Sequence, residues 1–300
     1  MARRPFYVTF GWTLRDYAKR VWDNSGEDNV LFLAGGIAFN IILAALPFIL
    51  LLATVVTWVV PHIYGGEFNS SDQVAQFIDR LLPAHSEVDS PYHKVVNDLL
   101  RARTQIGTYS AIGFIWFSTR LFGSLRTVLA SVFDIESERG IIAGKIFDVK
   151  ITIVSTLLFV ASVTVTTYVG LASHALVQVG LRNDAISSVD YYTGRVLGFI
   201  FIALMFYGLY KYLPIRRVPA KAAWVAATFS SVCFEAARTA FRYYTETFNP
   251  ASLYTGTLTA LVVVIVWCYY AALIFILGGE VGQVFELRRV RKRQREVLTD

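Results

Sequence analysis

The chain has 300 residues, 55% of them hydrophobic and only 17% charged, with a mean hydropathy of +0.50. Average soluble proteins carry about 25% charged residues, so an ordinary soluble globule is excluded. The apolar runs are continuous rather than alternating, which argues against a membrane β-barrel and for an all-α, polytopic membrane protein. Net charge is +6, and the placement of that charge is more informative than its size.

In chain order, residues 1–29 are expected to form a cytoplasmic or interfacial amphipathic helix. Phe6, Phe10, Leu14, Tyr17 and Val21 make an apolar stripe beside Arg15, Lys19 and Arg20. This helix could anchor on the membrane surface, gate a lateral opening, or simply pack on the bundle. The start MARRPFYVTF lacks the layout of a cleaved signal peptide, so the first span is expected to act as an uncleaved signal.

A six-helix transmembrane bundle is predicted over residues 30–286, with spans at about 30–60, 106–133, 149–181, 192–213, 222–247 and 255–286. The first span is too long for an upright helix, and tilting or a kink at Pro47 would accommodate it. Between the first two spans, about 70–105, the pattern predicts short amphipathic helices in an outside loop. Ser70 with Gln73 makes a capping box, Pro83 stops that helix, and Ser90-Pro91 starts the next. Residues 287–300 form a basic cytoplasmic tail, LRRVRKRQREVLTD from Leu287.

Orientation follows from Lys and Arg placement. With the N-terminus inside, the inner segments hold Arg3, Arg4, Arg15, Lys19 and Arg20; Arg139, Lys145 and Lys150; Arg216, Arg217 and Lys221; and the tail cluster. The outer loops hold only Arg80, Lys94, Arg101, Arg103 and Arg182. Both termini are therefore expected in the cytoplasm. Anionic lipid headgroups are the expected partners of the basic N- and C-terminal segments, each basic residue near the surface contributing about 1 kcal/mol. Nucleic acid is not an expected partner, because membrane topology already accounts for the basic clusters.

The segment 222–247, AAWVAATFSSVCFEAARTAFRYYTET, is hydrophobic enough to cross a bilayer yet carries a charged face. At helical spacing Thr228, Ser231, Glu235, Arg238, Thr239, Arg242 and Glu246 fall within about 40–60° of one direction. A charge at mid-bilayer costs roughly 2.5–3.5 kcal/mol on insertion scales, so such groups tend to face a bundle interior or a wet cavity. Glu235 and Arg238 are spaced to pair along the helix, and Arg242 adds positive charge one turn on. One reading places a phosphate-bearing substrate against Arg238 and Arg242, whose guanidiniums offer bidentate donors. The other makes Glu235–Arg238 a structural clasp, with Arg242 snorkelling to the outer surface.

Three further residues are candidates to line the same interior. Arg120 shares a face with Trp116, Ser124, Thr127 and Ser131; alternatively, Arg120 and Arg126 snorkel at the inner interface. Asn40 is a polar group within the first span, and Glu280 follows Gly278-Gly279 near the inner end of the last. The hydroxyls of the third span, among them Thr152 and Thr156, can bond to their own helix. Gly194/Gly198 and Gly278/Gly282 fit the small-xxx-small packing pattern. Cys233 and Cys268 read as small core residues rather than a disulfide.

No enzyme is expected, and no cofactor or metal. The four histidines make no ligand grouping, Gly140, Gly144 and Lys145 fall one residue short of a phosphate loop, and no nucleophile elbow occurs.

Several segments resemble the YihY/BrkB family of bacterial inner-membrane proteins, virulence factor BrkB-like and formerly labelled ribonuclease BN. LAGGIAFNIILAALPFILLL is similar to its first span through Ala38, Phe39 and Pro47, and IGFIWFSTRLFGSLRTVLASVF to its second. Tyr212, Leu213, Pro214 and Trp224 fall as the family has them. Tyr254, Gly256, Leu258, Trp267, Tyr270, Gly278 and Glu280 match its closing signature. Asn40 stands where an aromatic is common, and Thr255 and Thr257 flank Gly256 where the family usually has Y-G-S. The resemblance implies six spans with cytoplasmic ends and a link to envelope lipid export. The ribonuclease label is disfavoured chemically, since the carboxylates are scattered and no metal-ligand set exists. The leading expectation is a transporter or flippase of an anionic lipid or other amphiphile, its polar cavity lined by Glu235, Arg238, Arg242, Arg120, Asn40 and Glu280. The competing class is a non-transporting membrane scaffold or envelope-assembly factor.

Overall fold

A computed structural model describes residues 6–64, 103–135, 144–157, 184–214, 216, 218–248 and 256–299. Every regular element among them is helical. They are α1 (Phe6–Glu27), α2 (Val30–Tyr64), α3 (Arg103–Val132), α4 (144–157), α5 (Asp184–Tyr212), α6 (Ala220–Phe248) and α7 (Gly256–Thr299). The loop helices expected at about 70–105 and most of the third span, 158–181, lie outside the described residues. So do His174 and the side chains of residues 6–14, Gly194 and Glu246.

Among the described residues, two helices are long and apolar enough to cross a membrane by length and composition, at Val30–Leu51 and Leu261–Leu298. Gly198–Tyr212 is a shorter apolar helix. α2 runs unbroken through Pro47, whose ring is buried. α7 does not stop at the expected end of the last span but continues through the basic tail. The tail residues are strong helix formers, and Arg289–Glu286 (3.8 Å) and Lys292–Glu296 (3.9 Å) add pairs one turn apart.

The chain divides into two compact units, residues 40–121 and the remainder. In the smaller unit Phe48 packs on Phe114 with ring centroids 5.2 Å apart, and Gly113 lies against Pro47. In the larger unit α6 packs between α5 and α7, and α1 packs on α7. Aromatic side chains fill the α6 seams. Tyr207 stacks on Trp224 at 4.6 Å, and Phe234 and Phe241 both meet Trp267.

The centre of that unit is a small-residue seam. Ala222, Ala223, Ala226, Ala227, Ser230 and Ser231 of α6 are buried. Gly278 and Gly282 of α7 lie against them so closely that a Cβ on Gly278 would run into Ser230 Oγ and Tyr210 Oη. The seam is also polar and satisfied. The Tyr210 hydroxyl donates to the Phe275 carbonyl at 2.6 Å and lies 2.7 Å from Ser230 Oγ. Gly278/Gly282 is thus a working helix-packing pair. Gly198, by contrast, has open space where a Cβ would stand.

Candidate functional site

Three polar features stand out, all in the larger unit. The first is the charged face of α6. Arg238 donates to Glu235 Oε1 at 3.0 Å, the i,i+3 spacing bringing the two ends together. The pair is partly open, with side-chain exposures of 43% for Arg238 and 19% for Glu235. Beside it an open groove of about 670 Å³ is lined by Phe199 of α5 with Val232, Glu235, Ala236, Thr239, Ala240 and Tyr243 of α6. The groove wall is apolar except for Glu235 and Thr239. The hydroxyls of the stripe are absorbed locally, Ser231 by the Ala227 carbonyl at 2.7 Å and Thr239 by the Glu235 carbonyl at 2.9 Å. Ser231 is buried against the seam, whereas Thr228, Thr239 and Arg242 are exposed, so the predicted face straddles the edge of the helix packing.

The second feature is a set of acidic and amide side chains where three helix ends meet. Two left-handed residues build the corner, Asn29 (φ 51°) between α1 and α2, and Asp134 (φ 50°) after α3. Asn and Asp tolerate this region better than other non-glycine residues. At the end of α3, Asp134 N–H donates to the Ser131 carbonyl and Ile135 N–H to the Ala130 carbonyl, a Schellman closure. These turns set Asp28 and Asp134 beside Glu280 of α7. Gln283 links Asp134 to Asn24, donating to Asp134 at 2.8 Å and accepting from Asn24 at 3.1 Å. Glu280 is fully buried beside Asp28 and the Asn24 amide, and neither of its carboxyl oxygens makes a hydrogen bond of ordinary geometry.

The third feature is a basic groove of about 210 Å³ between α1 and the end of α7, lined by Arg20, Arg288, Arg291, Lys292 and Arg295. Its wall is braced from behind. Asp16 binds both Arg20 and Arg288, and the Arg288 guanidinium sits 5.0 Å from the centre of the Tyr17 ring. The Tyr17 hydroxyl donates to the Val281 carbonyl. Burial pushes the Tyr17 hydroxyl up to about 12, with the Arg288 cation pulling weakly the other way.

Of the residues expected to line one interior, Glu235 borders the open groove and Arg238 is held by it. Arg242 is exposed further along α6. Glu280 sits instead in the closed acidic corner. Asn40 (half-buried) and Arg120 (exposed) belong to the other unit. Arg126 is paired within the protein. It binds Asp148 at 2.9 Å and the Gly144 carbonyl at 3.3 Å, with side-chain exposures of 18% for Arg126 and 3% for Asp148. Thr152 and Thr156 bond to carbonyls of their own helix at 2.8 Å each, as their position in a hydrophobic helix suggested. Cys233 and Cys268 are free thiols. Among the described residues no group of three His, Cys, Asp or Glu is placed to hold a metal ion. The sequence reading missed Asp28, Asp134, Asn24 and Gln283 as neighbours of Glu280. The available signal was a pair of polar residues one turn apart at the end of α1, Asn24 and Asp28.

The profile described as virulence factor BrkB matches residues 21–298. The chain belongs to this family. Among its relatives, a UPF0761 membrane protein of Alteromonas mediterranea is 25% identical, the alignment covering 98% of this chain and 97% of the relative. A UPF0761 membrane protein of Cronobacter sakazakii is 22% identical over 93% of this chain and 92% of its own. A ribonuclease-like protein of Bacillus subtilis, YfkH, is 20% identical over 84% of this chain and 89% of its own. No solved structure matches the BrkB-family chain significantly. Glu280 and the flanking Gly278, Gly279 and Gly282 fall inside the matched region, as does the whole of α6.

Proposed function

We propose that this BrkB-family chain is an integral inner-membrane protein with six spans and both termini in the cytoplasm, and that it moves an anionic lipid or similar amphiphile across the membrane. The observation that carries the reading is the Glu235–Arg238 pair at the wall of an open, otherwise apolar groove between α5 and α6. About 670 Å³ lies within the range of ligand sites, roughly 300–1,000 Å³. An apolar wall suits an acyl chain. A guanidinium neutralised by a carboxylate is stable at rest and can exchange that partner for a phosphate. The basic groove between α1 and α7 adds a cytoplasmic attraction for the same headgroups.

The test is reconstitution of the full chain into vesicles carrying a trace of fluorescent phosphatidylglycerol, with reduction of the outer-leaflet dye as readout. Protein vesicles are expected to lose fluorescence beyond the half that empty vesicles lose. Arg238→Ala is expected to slow this at least tenfold while the protein still folds. Rates equal to empty vesicles would overturn the proposal.

A second reading, a non-transporting scaffold, is favoured by the interlocked α6–α7 seam, where every mapped hydroxyl is satisfied and glycines exclude any gap. It predicts no lipid movement and no loss of cellular function on Arg238→Ala.

A further inference from the structure

Two carboxylates are deeply buried in the described chain, and they are treated differently. Asp148 has Arg126 as a counter-ion at 2.9 Å. Glu280, with none of its surface exposed, is faced by no cation among the described residues. Its charged neighbours are Asp28, from the α1–α2 corner, and Asp134, from the end of α3; Asn24 of α1 is the nearby amide. The remaining polar groups packed against this stretch of α7 are already engaged. Tyr17 of α1 donates to the Val281 carbonyl, and Tyr210 of α5 to the Phe275 carbonyl. Asn24 donates to Gln283, and Gln283 to Asp134.

A carboxylate withdrawn from water with no counter-ion costs several kcal/mol, and two facing carboxylates repel as well. One proton removes both penalties, because it turns two acceptors into an O–H···O bond. A bound metal ion fits the corner less well. No three acidic groups converge on one point among the described residues, and Asp134 is taken by Gln283. Exposure is graded across the set. Asp134 is open to solvent, Asp28 half-buried and Glu280 enclosed.

We propose that Asp28 and Glu280 form a proton-binding site, loaded from the cytoplasmic side through Asp28. Hydronium gives its proton to an Asp28 oxygen, which shares it with Glu280; the pair goes from charge −2 to −1 and water is left behind. Release is the reverse step. The shared proton ties the α1–α2 corner to α7, and its loss sets two anions face to face there. Coupling of this proton to lipid movement would rest on the transport reading; the site itself does not.

The test is infrared difference spectroscopy of the purified full chain in lipid nanodiscs, in light and heavy water, with thermal midpoints measured in parallel. At neutral pH the wild type is expected to show the carbonyl stretch of a protonated, buried carboxylic acid, shifted by deuterium. Glu280→Gln is expected to abolish it. The wild-type thermal midpoint is expected to fall as pH rises, whereas that of E280Q stays level. Asp28→Asn is expected to move or remove the band, and serves where E280Q does not fold. A wild type without the band, or a band unchanged in either variant, overturns the proposal. So does stabilisation by sodium, magnesium or calcium that depends on Glu280, which would assign a cation instead. A failed lipid assay leaves the infrared signal untouched, so the two readings fail separately.

Discussion

Gly278→Ala adds one methyl group at the tightest point of the α6–α7 seam. The new Cβ would overlap Ser230 Oγ and Tyr210 Oη and come within 3.2 Å of the Ala226 backbone carbonyl. The carbonyl belongs to a helix and cannot swing aside, and Tyr210 is fully enclosed. Overpacking of this kind costs about 1–3 kcal/mol. Displacing Tyr210 from the Phe275 carbonyl strands a buried hydroxyl, for about 1–3 kcal/mol more. Better helix propensity of Ala offsets about 1 kcal/mol. The net expectation is a loss of about 1–5 kcal/mol, or about 2–15 °C in thermal midpoint for a chain of this size. Tryptophan fluorescence of the detergent-purified protein reads it, since Trp224 and Trp267 border the seam. Gly198→Ala is the control, because open space stands where its Cβ would go. It should be neutral or slightly stabilising. In a Tyr210→Phe/Ser230→Ala background the Gly278→Ala penalty should shrink, because the colliding oxygens are gone. Equal stability of Gly278→Ala and wild type, or equal damage at both glycines, would refute the packing argument.

Two other expectations are independent of function. Arg126→Ala removes a charged hydrogen-bond partner of the buried Asp148 and should destabilise by about 1.5–3 kcal/mol. The double change Arg126→Met/Asp148→Leu should recover most of that in the same thermal assay, and failure to recover would show that the pair does more than neutralise itself. For Tyr17, the folded value of about 12 lies above the ordinary 10, so its contribution is complete below pH 10 and is lost as pH rises from about 10 to 12. Limited proteolysis of α1 should therefore accelerate over that window in the wild type and show no such step in Tyr17→Phe.

How much of this was legible beforehand depends on the kind of signal. The helix over 222–247 was readable because apolar length and charge spacing are both one-dimensional, and the observed α6 is Ala220–Phe248. The Glu235–Arg238 pair was readable for the same reason, both groups standing on one helix three residues apart. Gly278 and Gly282 could be read as a pattern, but not the Tyr210 and Ser230 oxygens that make the pattern tight. Those come from two other helices. Glu280 was noticed and placed in the wrong company, among the α6 charges. Its true neighbours, Asp28 and Asp134, are delivered by two left-handed turns, and nothing in the local pattern shows which turn meets which helix. Arg126 was similar. An arginine near a helix end suggests snorkelling until an aspartate from the next helix closes on it at 2.9 Å. The extension of α7 through the basic tail was not read because the last span was ended where the charges begin, whereas Arg, Lys, Gln and Glu are good helix residues.

That unbroken α7 gives the protein a stiff lever. Its 44 residues amount to about 66 Å of rod. The stretch from the Gly278 seam to Thr299 accounts for about 32 Å. Were the rod to rock by about 10° on that fulcrum, its basic tip would sweep about 6 Å, dragging the strapped-on α1 with it. A small displacement at the Gly278 seam would thus be magnified into a change in how the arginines at the far end of α7 are presented.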